Sequence, residues 1–178
     1  MKVGIIGAMD VEVNLLKKAM HITRETVKAG MNFCEGKLSS TDAVQSDFDV
    51  THIGFRAGEI PYTGKISFEA DKVLREKAVK AVHAVAPGVN VIEGRICSGD
   101  QFNSKQEVFD RIISAFKGDC IEMEAGAIAQ VCYLNDIPFV SVRAISDKIG
   151  TPVKDYKKFE ADTAELCVSV TKYMTENF

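Results

Sequence analysis

The stretch Cys120–Gly150, CIEMEAGAIAQVCYLNDIPFVSVRAISDKIG, restricts the possible folds more than any other part of the chain. A short strand edge leads into a helix-like apolar run that stops near Asn135, and Pro138 opens an almost wholly apolar strand. Two carboxylates, Glu122 and Glu124, stand at the entrance of the run, and Arg143, Ser146 and Asp147 close the second strand. The middle reads as buried scaffold, and the charged ends need a separate reason.

The rest of the chain alternates in the same way. Lys2–Ala8 (KVGIIGA) predicts a short buried strand, and Asp10 starts a helix with Val13, Leu16 and Met20 at helical spacing. Residues 25–38 predict two strands turning at Ala29-Gly30. Ser39–Lys65 is polar and Gly-rich and reads as a long irregular excursion. Asp71–Val85 predicts a helix ending at Pro87-Gly88, and Val89–Gly99 a strand. Ser104–Phe116 predicts a helix with Val108, Ile112 and Phe116 on one face, and Asp155–Tyr173 a closing helix. Alternation of this kind predicts an α/β fold: a mixed, mostly parallel central sheet flanked by helices, in a single domain over residues 1–178.

Composition narrows the function. The net charge of −3, with no run of Lys or Arg, argues against nucleic acid as a partner. Five scattered cysteines without a C-x-x-C, and three distant histidines, suggest neither a metal site nor a disulfide framework. Asp10 and Glu12 interrupt the N-terminal apolar run too early for a signal peptide, and no stretch is long enough to span a bilayer. A cytoplasmic protein with no membrane partner is expected.

In an α/β sheet, ligands sit beyond the carboxyl ends of the strands. Four predicted strand ends carry reactive or binding side chains: Met9 and Glu12; Ser98, Gly99, Asp100 and Phe102; Glu122, Met123 and Glu124; and Arg143, Ser146 and Asp147. If those strands are adjacent and parallel, the groups face one crevice. Each also has a plainer reading. Glu12 suits a first helical turn by the helix dipole, Asp147 can terminate a strand, and Met9, Met123 and Phe102 can be core. Glu122 and Glu124 share one side of an extended strand, where Arg143 is a candidate counter-cation.

The motifs MKVGIIGAMDVEV, STDAVQSDFDVT, SGDQF and IEMEAGAIAQVCYLNDIPFVSVRAISD, with the closing helix, resemble those of the 5′-methylthioadenosine/S-adenosylhomocysteine nucleosidases of the purine and uridine phosphorylase superfamily. The resemblance implies a nucleoside phosphorylase-like fold, a homodimer without metal or organic cofactor, and hydrolysis of adenine nucleosides to adenine. It implies that Asp147 protonates adenine N7, that Glu12 activates water, that Glu124 holds the ribose hydroxyls and that Arg143 supports the carboxylate network. It further implies nucleoside contacts at Met9, Phe102, Asn103, Glu122, Met123 and Ser146, while Ile53 and Pro61 reach the partner subunit's pocket. The chemistry matches these residue types, because adenine leaves poorly as an anion and an acid with a raised pKa relieves that barrier.

The chain departs from the family pattern after Leu38. There CEGKL passes directly to SSTDAV, whereas the family carries a strand, a Ser-Gly-Ile-Gly turn, a long helix and a second strand with an Asn-Thr-Gly-Ser-Ala-Gly-Gly motif. A deletion on the order of fifty residues is therefore expected, with central strands and one ribose-side wall missing. Asn103 replaces a usual aliphatic residue. Two alternatives stand beside the hydrolase: a non-catalytic adenine nucleoside-binding relative and, disfavoured by the lack of a basic phosphate cluster, a nucleoside phosphorylase.

Overall fold

A computed structural model describes residues 5, 10–19, 26–28, 31–33, 42–102, 105–145 and 153–177. In chain order the elements are α1 (Asp10–Ala19), β1 (Thr26–Lys28), β2 (Met31–Phe33), β3 (Asp42–Gln45), β4 (Ser67–Glu69), α2 (Lys72–Val85), β5 (Arg95–Ser98), α3 (Gln106–Phe116), β6 (Cys120–Glu122), α4 (Ala125–Leu134) and α5 (Val153–Glu176). They group into two compact units: Met1–Leu38 with Glu76–Val91 and Val142–Phe178, and Ser39–Arg75 with Ile92–Ser141.

In the first unit, α1 packs along α5, and β1 pairs antiparallel with β2 in register Thr26↔Phe33 to Lys28↔Met31. That register is the predicted hairpin around Ala29-Gly30. The helix α5 buries Ala164, Cys167, Val170, Thr171 and Met174, a stripe at spacings of three and four. The buried Thr171 hydroxyl is satisfied by donating to Cys167 O at 2.8 Å.

The second unit is built on a four-stranded sheet in the order β4-β3-β5-β6. β3 pairs antiparallel with β4, and β3–β5 and β5–β6 are parallel, so the sheet is mixed and mostly parallel as predicted. Register assigns its faces. Val44 lies opposite Cys97, which lies opposite Ile121, and these residues pack with Ile112, Phe116 and Val108 of α3. Their strand neighbours Ala43, Gln45, Ile96 and Ser98 therefore turn to the other face. There α4 packs against β3, β4 and β5, and Phe68 of β4 meets Tyr133 of α4 with ring centroids 5.3 Å apart.

Arg95 pins the amino ends of this sheet. Its guanidinium bonds the nearly buried Asp42 carboxylate at 3.0 Å through Nε and 2.7 Å through Nη2, and donates from Nη1 to Phe116 O at 2.8 Å. One side chain thus joins β3, β5 and the last carbonyls of α3. The Asp42 carboxylate in turn holds Arg95 above its ordinary pKa.

Several expectations need correction. Ser39–Lys65 is not irregular throughout, since it contains β3, an inner strand of the sheet. β3 escapes detection because it is four residues long and begins with an acid, whose burial is made tolerable by Arg95. Ser67–Glu69 forms an unforeseen strand, outermost beside β3 among the described residues, and the Val89–Gly99 strand begins only at Arg95. Pro138–Ser146 was expected to be a buried strand. Phe139 and Val140 are buried, but the described residues 138–145 belong to no strand, because apolar content drives burial without dictating a ladder. The predicted Lys2–Ala8 strand lies outside the described residues except for Ile5, as does the junction after Leu38. The remaining helices, α1 to α5, lie within a few residues of their predicted ranges. Among the described residues, no helix is long and apolar enough to cross a membrane, and no cluster of His, Cys, Asp and Glu could hold a metal.

The α3 side of the sheet yields a measurable consequence. Cys97 is fully buried there, and that burial pushes its thiol up to about 12. The unfolded thiol ionises at about 8.5, so this contribution to stability is complete below that pH and is lost as pH rises from there through the native value. Native protein treated with iodoacetamide at pH 8 is expected to leave Cys97 unmodified by peptide mapping, whereas urea-unfolded protein is alkylated. Alkylation of native Cys97 at the rate of a free thiol would overturn the packing of α3 on β5.

Candidate active site

The carboxyl ends of β3, β5 and β6 lie side by side, because the three strands are parallel and paired Gln45↔Ser98↔Glu122 at their last rungs. The sequence expectation of converging strand ends therefore holds for β5 and β6, with β3 as an unforeseen third contributor. Beyond these ends the chain turns three times: at Ser46-Asp47, at Gly99-Asp100 and at Met123-Glu124.

The third turn is the most constrained. β6 stops at Glu122, and Glu124 occupies the N-cap position of α4 with φ −131° and ψ −38°. The two acids therefore do not continue as one extended strand, which corrects the same-side expectation. The Glu122 carboxylate folds over the start of α4. Its oxygens accept from Ala125 N at 2.9 and 3.1 Å and from Glu124 N at 3.1 Å. Ser98 Oγ donates to Glu122 Oε1 and accepts from Gly126 N at 2.6 Å. These bonds satisfy the amides that an α-helix leaves without internal partners at its start, and a carboxylate there is favoured by the helix dipole. Glu124, half-buried, makes no side-chain capping bond.

The other two turns are held by side chains that sequence reasoning passed over. Ser46 N and Oγ both donate to Ser98 O, at 2.7 and 2.9 Å. Asp47 Oδ2 accepts from Asp100 N at 2.5 Å, and Gln45 Nε2 donates to Gln130 Oε1 on α4. The signal was present: Ala-Val followed by Gln-Ser-Asp at 43–47 has the same apolar-to-polar switch as Ile-Cys-Ser-Gly-Asp at 96–100.

The expected site residues separate as follows. Glu122, Met123 and Glu124 stand together at the β6–α4 turn, and Phe102 follows the Gly99-Asp100 turn with 75% of its surface exposed. Ile53 is 63% exposed beside Gly54, and Pro61 is half-buried. Glu12 lies in the first turn of α1, and Arg143 is half-buried in the strandless stretch 141–145. Met9, Asn103, Ser146 and Asp147 lie outside the described residues.

A cavity of about 660 Å³ opens at the opposite, amino end of the sheet. It holds two ion pairs, Arg95 with Asp42 and Arg75 with Glu93 at 2.7 Å, and Asp119 Oδ2 accepts from Arg95 N at 2.8 Å. Satisfied charges at the amino ends of strands stabilise the fold and do not mark the ligand end.

Gly126 tests the close approach of α4. A Cβ there would lie 3.0 Å from both Ser98 Cβ and Ser98 Oγ, and 3.1 Å from Gln45 Cγ. Alanine would gain up to ~1 kcal/mol of helix propensity, while overpacking against anchored strand side chains costs ~1–3 kcal/mol. Gly126→Ala is therefore expected to lower stability by about 1 kcal/mol in urea unfolding. A stabilised variant would mean that α4 does not rest on Ser98.

A phosphorylase superfamily profile matches residues 38–176. The 5′-methylthioadenosine/S-adenosylhomocysteine nucleosidase of Glaesserella parasuis serovar 5 is 32% identical over 232 aligned positions that cover 100% of both chains. The solved nucleosidase of Campylobacter jejuni superposes with a TM-score of 0.88 at 21% identity, covering 100% of each chain. A futalosine hydrolase of Helicobacter pylori superposes at 0.86 with 21% identity, covering 100% of this chain and 98% of that one. The superpositions establish a nucleoside phosphorylase-like fold. With the sequence match added, the relation is closer than fold: this chain belongs to the 5′-methylthioadenosine/S-adenosylhomocysteine nucleosidase family of the phosphorylase superfamily.

Proposed function

We propose that this protein hydrolyses the N-glycosidic bond of 5′-methylthioadenosine and S-adenosylhomocysteine and releases adenine. The observation that carries this reading is the Glu122-Met123-Glu124 turn at the carboxyl end of a parallel strand, in a chain of this family. The Glu122 carboxylate is engaged in capping α4, and the family motif assigns Glu124 to the ribose hydroxyls and Met123 to the sugar face.

The remaining roles follow the family motifs. Asp147 delivers a proton to adenine N7 as the bond from C1′ to N9 breaks, and Ser146 orients it. Glu12 takes a proton from water as the water oxygen bonds C1′, and Arg143 supports the carboxylates. Phe102 stacks on the base, the Asn103 backbone contacts it, and Met9 lines the sugar. Separated carboxylates acting on an oxocarbenium-like ribosyl group follow the general logic of glycoside cleavage. The whole chain is assigned to one nucleosidase domain that works as a homodimer, with Ile53 and Pro61 directed to the neighbouring subunit.

The proposed deletion after Leu38 sets the rate. Positioning contributes several kcal/mol to a barrier of this kind, and the absent glycine-rich wall would have placed ribose and water. Hydrolysis slower than that of an intact relative is expected, with adenine affinity better retained than nucleoside affinity. A second substrate is favoured by one specific observation, the superposition on a futalosine hydrolase.

Purified protein is expected to release adenine from methylthioadenosine and adenosylhomocysteine faster than a purine base from futalosine, with no stimulation by phosphate. A preference for futalosine would move the chain to the second reading, phosphate dependence would make it a phosphorylase, and adenine binding without turnover would leave a non-catalytic relative. In a hydrolytically active parent, Asp147→Asn is expected to lower kcat by ~10²–10⁴-fold while changing ligand affinity little, because the amide keeps the shape but cannot donate the proton. Near-parental turnover in that variant would remove Asp147 from the acid role.

A further inference from the structure

We propose that Ser98 is a positioning residue for the nucleoside site, acting through Glu122 and Gly126 to set the turn that presents Met123 and Glu124. Ser98 is only 5% exposed, and its hydroxyl both donates and accepts. It donates to Glu122 Oε1 and accepts from Gly126 N at 2.6 Å. Glu122 in turn accepts from the amides of Glu124 and Ala125. Three consecutive amides, 124 to 126, are thereby held by two side chains that both come from strands. The side chain at the N-cap position takes no part in the capping.

This division of labour matters because Glu124 is itself the N-cap residue. An N-cap side chain commonly turns back onto the helix amides. Here Glu122 and Ser98 perform that task, so the Glu124 carboxylate is not drawn into capping α4. Ser98 is anchored from behind as well: its own carbonyl accepts from Ser46 N at 2.7 Å and from Ser46 Oγ at 2.9 Å. The hydroxyl therefore starts from a fixed point in the sheet and ends on the turn. Without it, the Gly126 amide loses its acceptor in a buried position, and Glu122 Oε1 loses one of its two donors, keeping only Ala125 N at 3.1 Å.

The ribose part of this inference rests on the nucleosidase reading, whereas the clamp itself does not, and the experiment separates them. In the parental chain, amide hydrogen exchange at residues 124–126 is expected to be protected by at least ~100-fold, and absence of protection would overturn the clamp without any variant being made. In Ser98→Ala the Gly126 amide is expected to exchange about tenfold faster, as for loss of one buried hydrogen bond, with Ser98→Thr restoring protection because it keeps the hydroxyl. In the same variants the KM for methylthioadenosine is expected to rise about tenfold in Ser98→Ala and to recover in Ser98→Thr, with kcat changed by less than about threefold. Ile112→Val, on the buried face of α3, is expected to lower stability without moving KM and serves as the control for a merely structural effect. Equal KM in Ser98→Ala and parent, or failure of Ser98→Thr to recover either quantity, would overturn the proposal. A parental chain that releases no adenine would sink the nucleosidase reading, and the exchange arm would still decide the role of Ser98.

Discussion

The parallel pairing of β3 with β5, with Val44 opposite Cys97 and Gln45 opposite Ser98, is the constraint on which the second unit depends. Because strand side chains alternate, one register decides both faces at once. Val44 and Cys97 are committed to α3, and Gln45 and Ser98 to α4. A slip by one residue would exchange them, sending polar groups into the α3 core and apolar ones to the start of α4. The register is held at both ends by polar contacts with defined geometry: the Arg95–Asp42 pair below and the Ser46–Ser98 bonds above.

On that frame α4 behaves unlike an ordinary surface helix. Its sequence, AGAIAQVCYL, is apolar almost all round. What selects the packed face is size: Ala125, Gly126 and Ala129 are buried and allow the helix backbone to approach the strands closely. Close approach brings the first amides of α4 within reach of Ser98 and Glu122, and that explains why an otherwise apolar unit is entered through acids. One acid, Glu122, answers the helix's own unsatisfied amides. The other, Glu124, stands at the N-cap position of the same turn and takes no part in capping.

The two ends of the sheet use their polar groups differently. The amino end gathers charges that neutralise one another, and the carboxyl end gathers turns whose side chains hold backbone groups of neighbouring turns. Asp47 holds the Gly99-Asp100 turn that precedes Phe102, as Ser98 holds the turn that contains Met123 and Glu124. Residues that bind backbone in this way keep a site's geometry with little contact of their own with a ligand, and no substrate-binding motif betrays them.

The sequence by itself determined the α/β class, the helices, the hairpin, the apolar face of α3 and the family, because each is written in local periodicity or in contiguous motifs such as EMEAGAIAQVC. It also pointed to the ends of β5 and β6, where apolar runs break into polar ones. It missed β3 and β4, because a strand of three or four residues carries too little period to stand out, and because the acid that opens β3 is burial-compatible only beside Arg95, fifty-three positions away. It overstated the strand opened by Pro138, because composition predicts burial, as at Phe139 and Val140, without dictating a ladder among the described residues 138–145. Only the tertiary structure decided that Glu122, and not the N-cap residue Glu124, caps α4, since that depends on the Ser98 hydroxyl, from a separate strand, meeting both the Glu122 carboxylate and the Gly126 amide at one helix end.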